Sequence, residues 1–479
     1  LPILPPPPIL TAAEYTVGPG GSYANLEALR TATGVLQSGD TIILNGDDNS
    51  LTRRFGVASL TFKGSGVIRP AASNSNIMYS SGNITLDSNS LEFRNFQWND
   101  DGGVFCGNNV VLSGGTNTFT NNSANGMGGA IASSTYLTLS GGTNTFTGNS
   151  ARYGGGAIGS YHVVLSGGTN TFTNNSTNGL GGAIYTDEGQ VVLMATNGDI
   201  TFRGNRDRVG TANEKANAIH AEFAGYYNTV FNAGEGQSIY FYDPIVMGQN
   251  YVQINNRATD TGRVVFDGSD YTRDVDRYSQ VLNTTVGYGE LQLRGNVVYG
   301  AANDVGTFTL GQWATLLTDA STNKIQANTI TVNGNVGINS GGVLELAAAQ
   351  GVTFNGTMYV GLGLEDFTSG IISVLGNLTF GNKAALDLYW GDSVTPLDGW
   401  SQVYDMSDLF LATGKTSGWG NFDFNMSSFE ETGFEWTWNG NVLTLSYLGD
   451  DPSTTPEPAT LLVLGLGAIG AGFVARRRK

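Results

Sequence analysis

Two adjacent carboxylates, Asp100 and Asp101, are the best local candidates for cutting a glycan, with Asp87 and Glu92 close enough in sequence to join them from a neighbouring strand. Glycosidic cleavage needs two carboxyl groups about 5 to 9.5 Å apart, one of them held protonated by its surroundings. Neighbours along a strand point to opposite faces, so Asp100 and Asp101 do not by themselves address one bond. Their place just before Gly102-Gly103 suits a solvated turn better. The two histidines, His162 and His220, are read as exposed strand ends: the repeat position of His162 is Asn109 and Tyr136 in sister segments, and His220, in NAIHAE, a degenerate copy of the repeat's G-G-A-I piece, is read the same way. Asp47-Asp48 offers oxygen ligands for Ca²⁺, but two carboxylates in a loop make a thin ligand set. Cys106 is the single cysteine, which excludes a disulfide framework and a thiolate metal cluster. No cofactor or metal is expected, and neither a G-x-S-x-G elbow nor a P-loop is present.

The elements that carry these residues are those of a folded, weakly charged chain. The sequence has 479 residues, 69 of them glycine, a net charge of −17 and only 13% charged residues. Glycine is about twice as common as usual and charge about half as common. With 40% apolar residues, 20 Tyr and 23 Phe, there is material for a sizeable core. Outside the last four residues there is no basic cluster, so nucleic acid is not an expected partner.

Self-comparison supplies the strongest signal. VVLSGGTNTFTNNSANGMGGAIAS from Val110 recurs from Leu137 and again from Val163, placing Phe119, Phe146 and Phe172 at intervals of 27 and 26 residues. A looser copy holds Phe202 and Asn205, and an earlier one reads as Phe96-Gln97-Trp98-Asn99 before Gly102-Gly103. Each unit contains three short β-type pieces separated by Gly, Asn and Ser turns. Three strands and three corners in about 26 residues describe one coil of a parallel β-helix, with coils stacked at the ~4.8 Å spacing of neighbouring strands. Stacking predicts a column of Phe119, Phe146, Phe172 and Phe202 inside the coil. It also predicts a corner ladder of Asn122, Asn149, Asn175 and Asn205, amide over amide, serving backbone groups left unpaired by the bend. A ligand-binding Asn row is the alternative reading of that ladder.

The pairing of F-x-x-N with G-G-A-I resembles the repeats of the chlamydial polymorphic membrane proteins and related autotransporter passengers. The resemblance covers roughly residues 93 to 222, and its motif residues here are Phe119 and Asn122, Phe146 and Asn149, Phe172 and Asn175. It implies a surface-exposed, often adhesive β-helix. The opening segment, with Tyr23, Leu26 and Leu29 on one face of a short helix, looks like the cap of pectin-lyase-type β-helices. A cap is physically required, because an open first coil exposes core and an unpaired edge.

From about Phe223 the repeat fades, while short strands bounded by Gly and Asn continue as degenerate coils. Trp400, Trp419, Trp436 and Trp438 are expected to cap the last coil, with a carbohydrate-binding β-sandwich as the sharper reading. The C-terminus has three parts: Pro456-Glu457-Pro458, an uncharged run from Ala459 to Ala475, and Arg476-Arg477-Arg478-Lys479. Seventeen helical residues reach roughly 25 Å, just short of a ~30 Å hydrocarbon core, and the basic tail is retained on the cytoplasmic side. This layout resembles the PEP-CTERM sorting signal of Gram-negative bacteria. It implies recognition by an exosortase-type transpeptidase and export to the envelope, with the C-terminal helix as an inner-membrane anchor before processing.

The expected fold is therefore all-β: a right-handed parallel β-helix with a short N-terminal cap helix and a C-terminal transmembrane helix. The expected segments are 1–13 (leader or signal remnant), 14–92 (cap and first coils), 93–222 (repeat coils), 223–448 (degenerate coils and C-terminal cap), 449–458 (linker) and 459–479 (membrane helix and basic tail). The expected function is a non-enzymatic, structural or adhesive surface protein whose partners are extracellular polysaccharide or other cells. A polysaccharide lyase or glycoside hydrolase on the same scaffold is the competing expectation.

Overall fold

The computed structural model describes residues 12–448, apart from 222–227, 249–250, 302–305 and short stretches between 365 and 441, together with the backbone of Arg476–Arg477. Almost every element is a short strand in parallel register with a strand one coil away. The chain divides into two compact units, one holding residues up to Val230 with Gln237–Asn250, the other Phe231–Gly236 with the rest.

In the first unit, period-2 alternation sends Asn and Phe of T-N-T-F-T inward and the threonines outward. The strand Thr143–Thr147 pairs residue for residue with Thr116–Thr120 on one side and Thr169–Thr173 on the other, setting Phe146 between Phe119 and Phe172. Their ring centroids lie 4.9 Å apart with planes within 3° of parallel. The column continues to Phe202 at 4.8 Å and Phe241 at 5.3 Å, so the ring separation is that of the coils themselves. At its other end the column is joined by Phe93, 5.1 Å from Phe119, not by Phe96. Phe96 instead falls in the corner slot of Asn122, because Gln97 and Trp98 pair with Ser123 and Ala124. Burying one such ring stabilises the coil by about 2–3 kcal/mol.

The corner after each phenylalanine turns through a left-handed residue: Asn121 (φ 53°), Gly148 (φ 65°), Asn174 (φ 55°) and Gly204 (φ 73°). Glycine and asparagine reach that region at least cost, so they alternate at this position. The bend is followed by a two-residue strand, Ser123–Ala124, Ser150–Ala151 or Ser176–Thr177, which builds a narrow extra sheet. The G-G-A-I and V-V-L pieces, expected as separate strands, run together as bent strands such as Ile131–Leu139 and Ile158–Leu165. Before them a Cβ on Gly129 would stand 2.1 Å from the Gly156 carbonyl oxygen, and one on Gly156 2.1 Å from that of Gly182, so a side chain is excluded from this column.

The entry is closed by the helix Leu26–Thr31, whose Leu26 and Leu29 are buried. Asn25 caps it by accepting from Ala28 N at 2.8 Å, and the Asp48 carboxylate accepts from Leu26 N at 2.7 Å.

In the second unit Thr307 pairs with Thr329 and Ile330 with Val352, so a coil there takes 22 residues. Its far end carries an antiparallel sheet of Ser401–Asp405, Val442–Tyr447 and Phe434–Asn439. Trp390 meets Trp400 at 5.5 Å and Phe434 at 5.1 Å, and Trp419 lies 4.7 Å from Phe380. Trp436 and Trp438 lie in the strand Phe434–Asn439 of that sheet, Trp438 4.0 Å from Phe424.

Candidate functional site

The Asp100–Asp101 corner is committed to structure. The Asp101 carboxylate accepts from Met127 N at 2.7 Å and lies against Gly126, where a Cβ would meet the same oxygen at 2.1 Å. Asp100 accepts from Gly126 N at 3.1 Å through its backbone carbonyl. The Cys106 thiol beside them is pushed up to about 12 by burial first, then by Asp101 and Asp100 against the opposing charge of Arg54. A thiol that stays protonated at neutral pH is a poor nucleophile. The same surroundings, led by Cys106 and then burial, raise the Tyr79 phenol above its ordinary value. Arg54 lies over the Tyr79 ring at 5.1 Å and the Trp98 ring at 5.4 Å, a cation–π contact that holds the corner rather than a reacting pair. Asp47 and Asp48 are spent likewise, on Val67 N and on Leu26 N and Ser50 N. Among the described residues no three His, Cys, Asp or Glu side chains converge as a metal site.

Both histidines depart from their expected exposure. His162 is buried, accepts from Gln190 N at Nδ1 (2.9 Å), stacks on Tyr136 at 4.5 Å and meets Tyr161 edge-on at 4.6 Å. Burial lowers its pKa. His220 is buried too, 6.1 Å from Tyr185, and is held down to about 4 by burial first, then by Lys215 and Arg208. A neighbouring ring covers each imidazole, which sequence periodicity alone does not reveal.

The asparagine column is saturated. Asn149 Nδ2 donates to Phe119 O at 2.9 Å and to Asn175 Oδ1 at 3.0 Å, while its Oδ1 accepts from Asn122 N and Asn122 Nδ2, each at 3.0 Å. Asn122 and Asn175 repeat the pattern. At one end Asn122 Oδ1 takes Phe96 N, and at the other Asp243 Oδ2 accepts from Asn205 N and Asn205 Nδ2 at 2.8 and 2.7 Å. All four asparagines are fully buried, so this geometry closes a bend and leaves nothing for a ligand. A second inward row, Asn117, Asn144 and Asn170, is linked by Nδ2-to-Oδ1 bonds of 3.0 and 2.9 Å. Sequence reasoning missed it, although each member precedes a column phenylalanine by two residues and so shares its face.

Pro456, Glu457, Pro458, the apolar run 459–475, Arg478 and Lys479 lie outside the described residues, as do the side chains of Arg476 and Arg477. Among the described residues no helix is long and apolar enough to cross a membrane.

Comparison with known proteins agrees with this architecture. Residues 454–479 match the PEP-CTERM protein-sorting motif. Residues 118–134 and 171–187 match the Chlamydia polymorphic membrane protein repeat, two stretches that each span one column phenylalanine, its corner asparagine and the glycine pair. The chain is 32% identical over 163 residues to the probable outer membrane protein pmp8 of Chlamydia pneumoniae, covering 31% of this chain and 17% of that protein. It is 49% identical over 61 residues to pmp6 of the same organism, covering 13% and 4%, and 29% identical over 160 residues to pmp10, covering 30% and 17%. The chain thus spans less than a fifth of the length of these relatives. No solved structure matches it significantly. The protein carries polymorphic-membrane-protein repeats on a parallel β-helix and a PEP-CTERM motif at its C-terminal end.

Proposed function

We propose that this is an exported β-helix protein that works at the cell surface or in the extracellular matrix, structural or adhesive and not enzymatic. The observation that carries the reading is the joining, in one chain, of a sorting motif at 454–479 to coils whose corner asparagines are consumed by stacking. In this reading an exosortase-type enzyme recognises Pro456-Glu457-Pro458. Before processing, the run 459–475 anchors the chain in the inner membrane, with Arg476 to Lys479 on the cytoplasmic side. Similarity to proteins named as probable outer membrane proteins supports a place in the envelope. The engagement of the Asp101 carboxylate with Met127 N supports a non-catalytic role for that corner.

Two experiments test the proposal. Glu457→Ala should leave the chain unprocessed, so that the intact mass of the recovered protein includes the tail; a wild-type mass that already includes it removes the sorting step. The purified protein should be retained by extracellular polysaccharide or by neighbouring cells, and retention by neither removes the adhesive role.

A further inference from the structure

In the second unit a groove of about 410 Å³ is lined by Gln312, Asn333, Asn355, Asn382 and Lys383. These side chains come from four successive coils at one corner. Leu310, Val332, Phe354 and Phe380 are register partners in a single ladder, and the lining residues follow each of them by one to three positions. The row therefore advances by about 4.8 Å per coil, comparable to the length of one pyranose ring. Backbone packs closely beside the row: a Cβ on Gly356 would stand 1.8 Å from Gly334 O, and one on Gly381 1.7 Å from Asn355 Oδ1.

The hydrogen-bonding capacity of this row is mostly unspent. Asn355 Nδ2 donates to Asn333 Oδ1 at 2.9 Å. That leaves Asn333 Nδ2 as a donor and Asn355 Oδ1 as an acceptor. The side chains of Gln312, Asn382 and Lys383 are exposed and make no hydrogen bond or ion pair among the described residues. Trp313 follows Gln312 in the chain, is 67% exposed and in register with Tyr288 of the neighbouring coil, and is not one of the side chains that line the groove. An exposed indole presents an apolar face suited to the C–H face of a sugar, while the lining amides donate to and accept from its hydroxyls. No carboxylate lines the groove, and the net charge of −17 opposes a polyanion.

We propose that this corner row is a binding site for a neutral hexopyranose polysaccharide, one sugar per coil, with Trp313 as the stacking platform and the amides of Gln312, Asn333, Asn355 and Asn382 as hydroxyl partners. The site deepens the adhesive reading and rests on it. It is tested with the full chain in affinity electrophoresis through gels holding soluble β-glucan, α-glucan or β-mannan, with alginate as the acidic comparison. A neutral polysaccharide should retard the wild type. Trp313→Ala should weaken that retention about tenfold and Gln312→Ala with Lys383→Ala about threefold, with melting temperatures unchanged because all three side chains are exposed. Tyr153→Ala, an exposed aromatic of the first unit, should retain wild-type binding. Full retention by Trp313→Ala, or retardation by alginate alone, overturns the site. Binding of the full chain to cells without binding to any neutral polysaccharide overturns the site and leaves the adhesive reading standing, whereas binding to neither overturns both.

Discussion

Two rows of amides occupy corners of this protein, and they differ in what their hydrogen bonds are used for. The Asn122–Asn205 row of the first unit is fully buried, and every member bonds the next coil twice while holding a carbonyl of the coil before. The Gln312–Asn382 row of the second unit has one bond between its members and otherwise faces an open groove. Residue type is the same, so type alone does not separate a structural amide from a binding one. Burial and the count of unspent donors and acceptors do. A buried amide without partners costs too much to persist, while an exposed one satisfied by water can exchange that water for a ligand.

The largest expected effect breaks the comparison directly. Asn149→Ala strips partners from Phe119 O, Asn122 N and two neighbouring amides, so it should lower stability by about 5 kcal/mol. Asn355→Ala should cost under about 1 kcal/mol, since its one amide partner is solvent-accessible. Chemical denaturation followed by circular dichroism compares the two, and equal losses would erase the distinction. Next, Phe146→Ala opens a gap in a column of rings 4.9 Å apart and should cost about 4 kcal/mol. Hydrogen exchange should place the loss in residues 116–173 and spare the second unit.

A smaller effect sharpens the contrast through pH. His220 of the first unit titrates at about 4 when folded, below its ordinary 6.5. Between these values the unfolded chain binds more protons than the folded one. Its contribution is therefore fully present above pH 6.5 and is lost as pH falls towards 4. Asp207, raised by burial, works in the opposite direction, and Glu27, held at about 2 chiefly by its bond to Arg30, loses its contribution only between its ordinary value and 2. Melting temperature should fall on acidification from 6.5 to 4, and His220→Phe should flatten that fall. An unchanged slope would show that His220 is not desolvated.

The phenylalanine column and the Asn122–Asn205 corner could be read from the letters because near-identical modules must superpose identical side chains. Reading became harder where the repeat broke. Both Phe93 and Phe96 compete for one slot, and the pairing of Phe93 with Phe119 and of Gln97 with Ser123 assigns Phe93 to the column. In the run Phe241-Tyr242-Asp243 the ladder continues with a carboxylate in place of the amide, since Asp243 offers the same acceptor to Asn205 N. The burial of the histidines is not legible in the letters, because the stacked rings beside them, from Tyr136 and Tyr185, belong to other coils.

Composition, periodicity and the terminal motif were thus enough to determine the coil, the spacing of its inward side chains and the sorting signal, since each depends on residues close in sequence or strictly repeated. Which carboxylates are tied to backbone, which imidazoles are dry and which amides line up as an open groove were decided by tertiary structure. Those properties depend on the register between coils of 26 and 22 residues, and a shift of one residue in that register exchanges inside for outside.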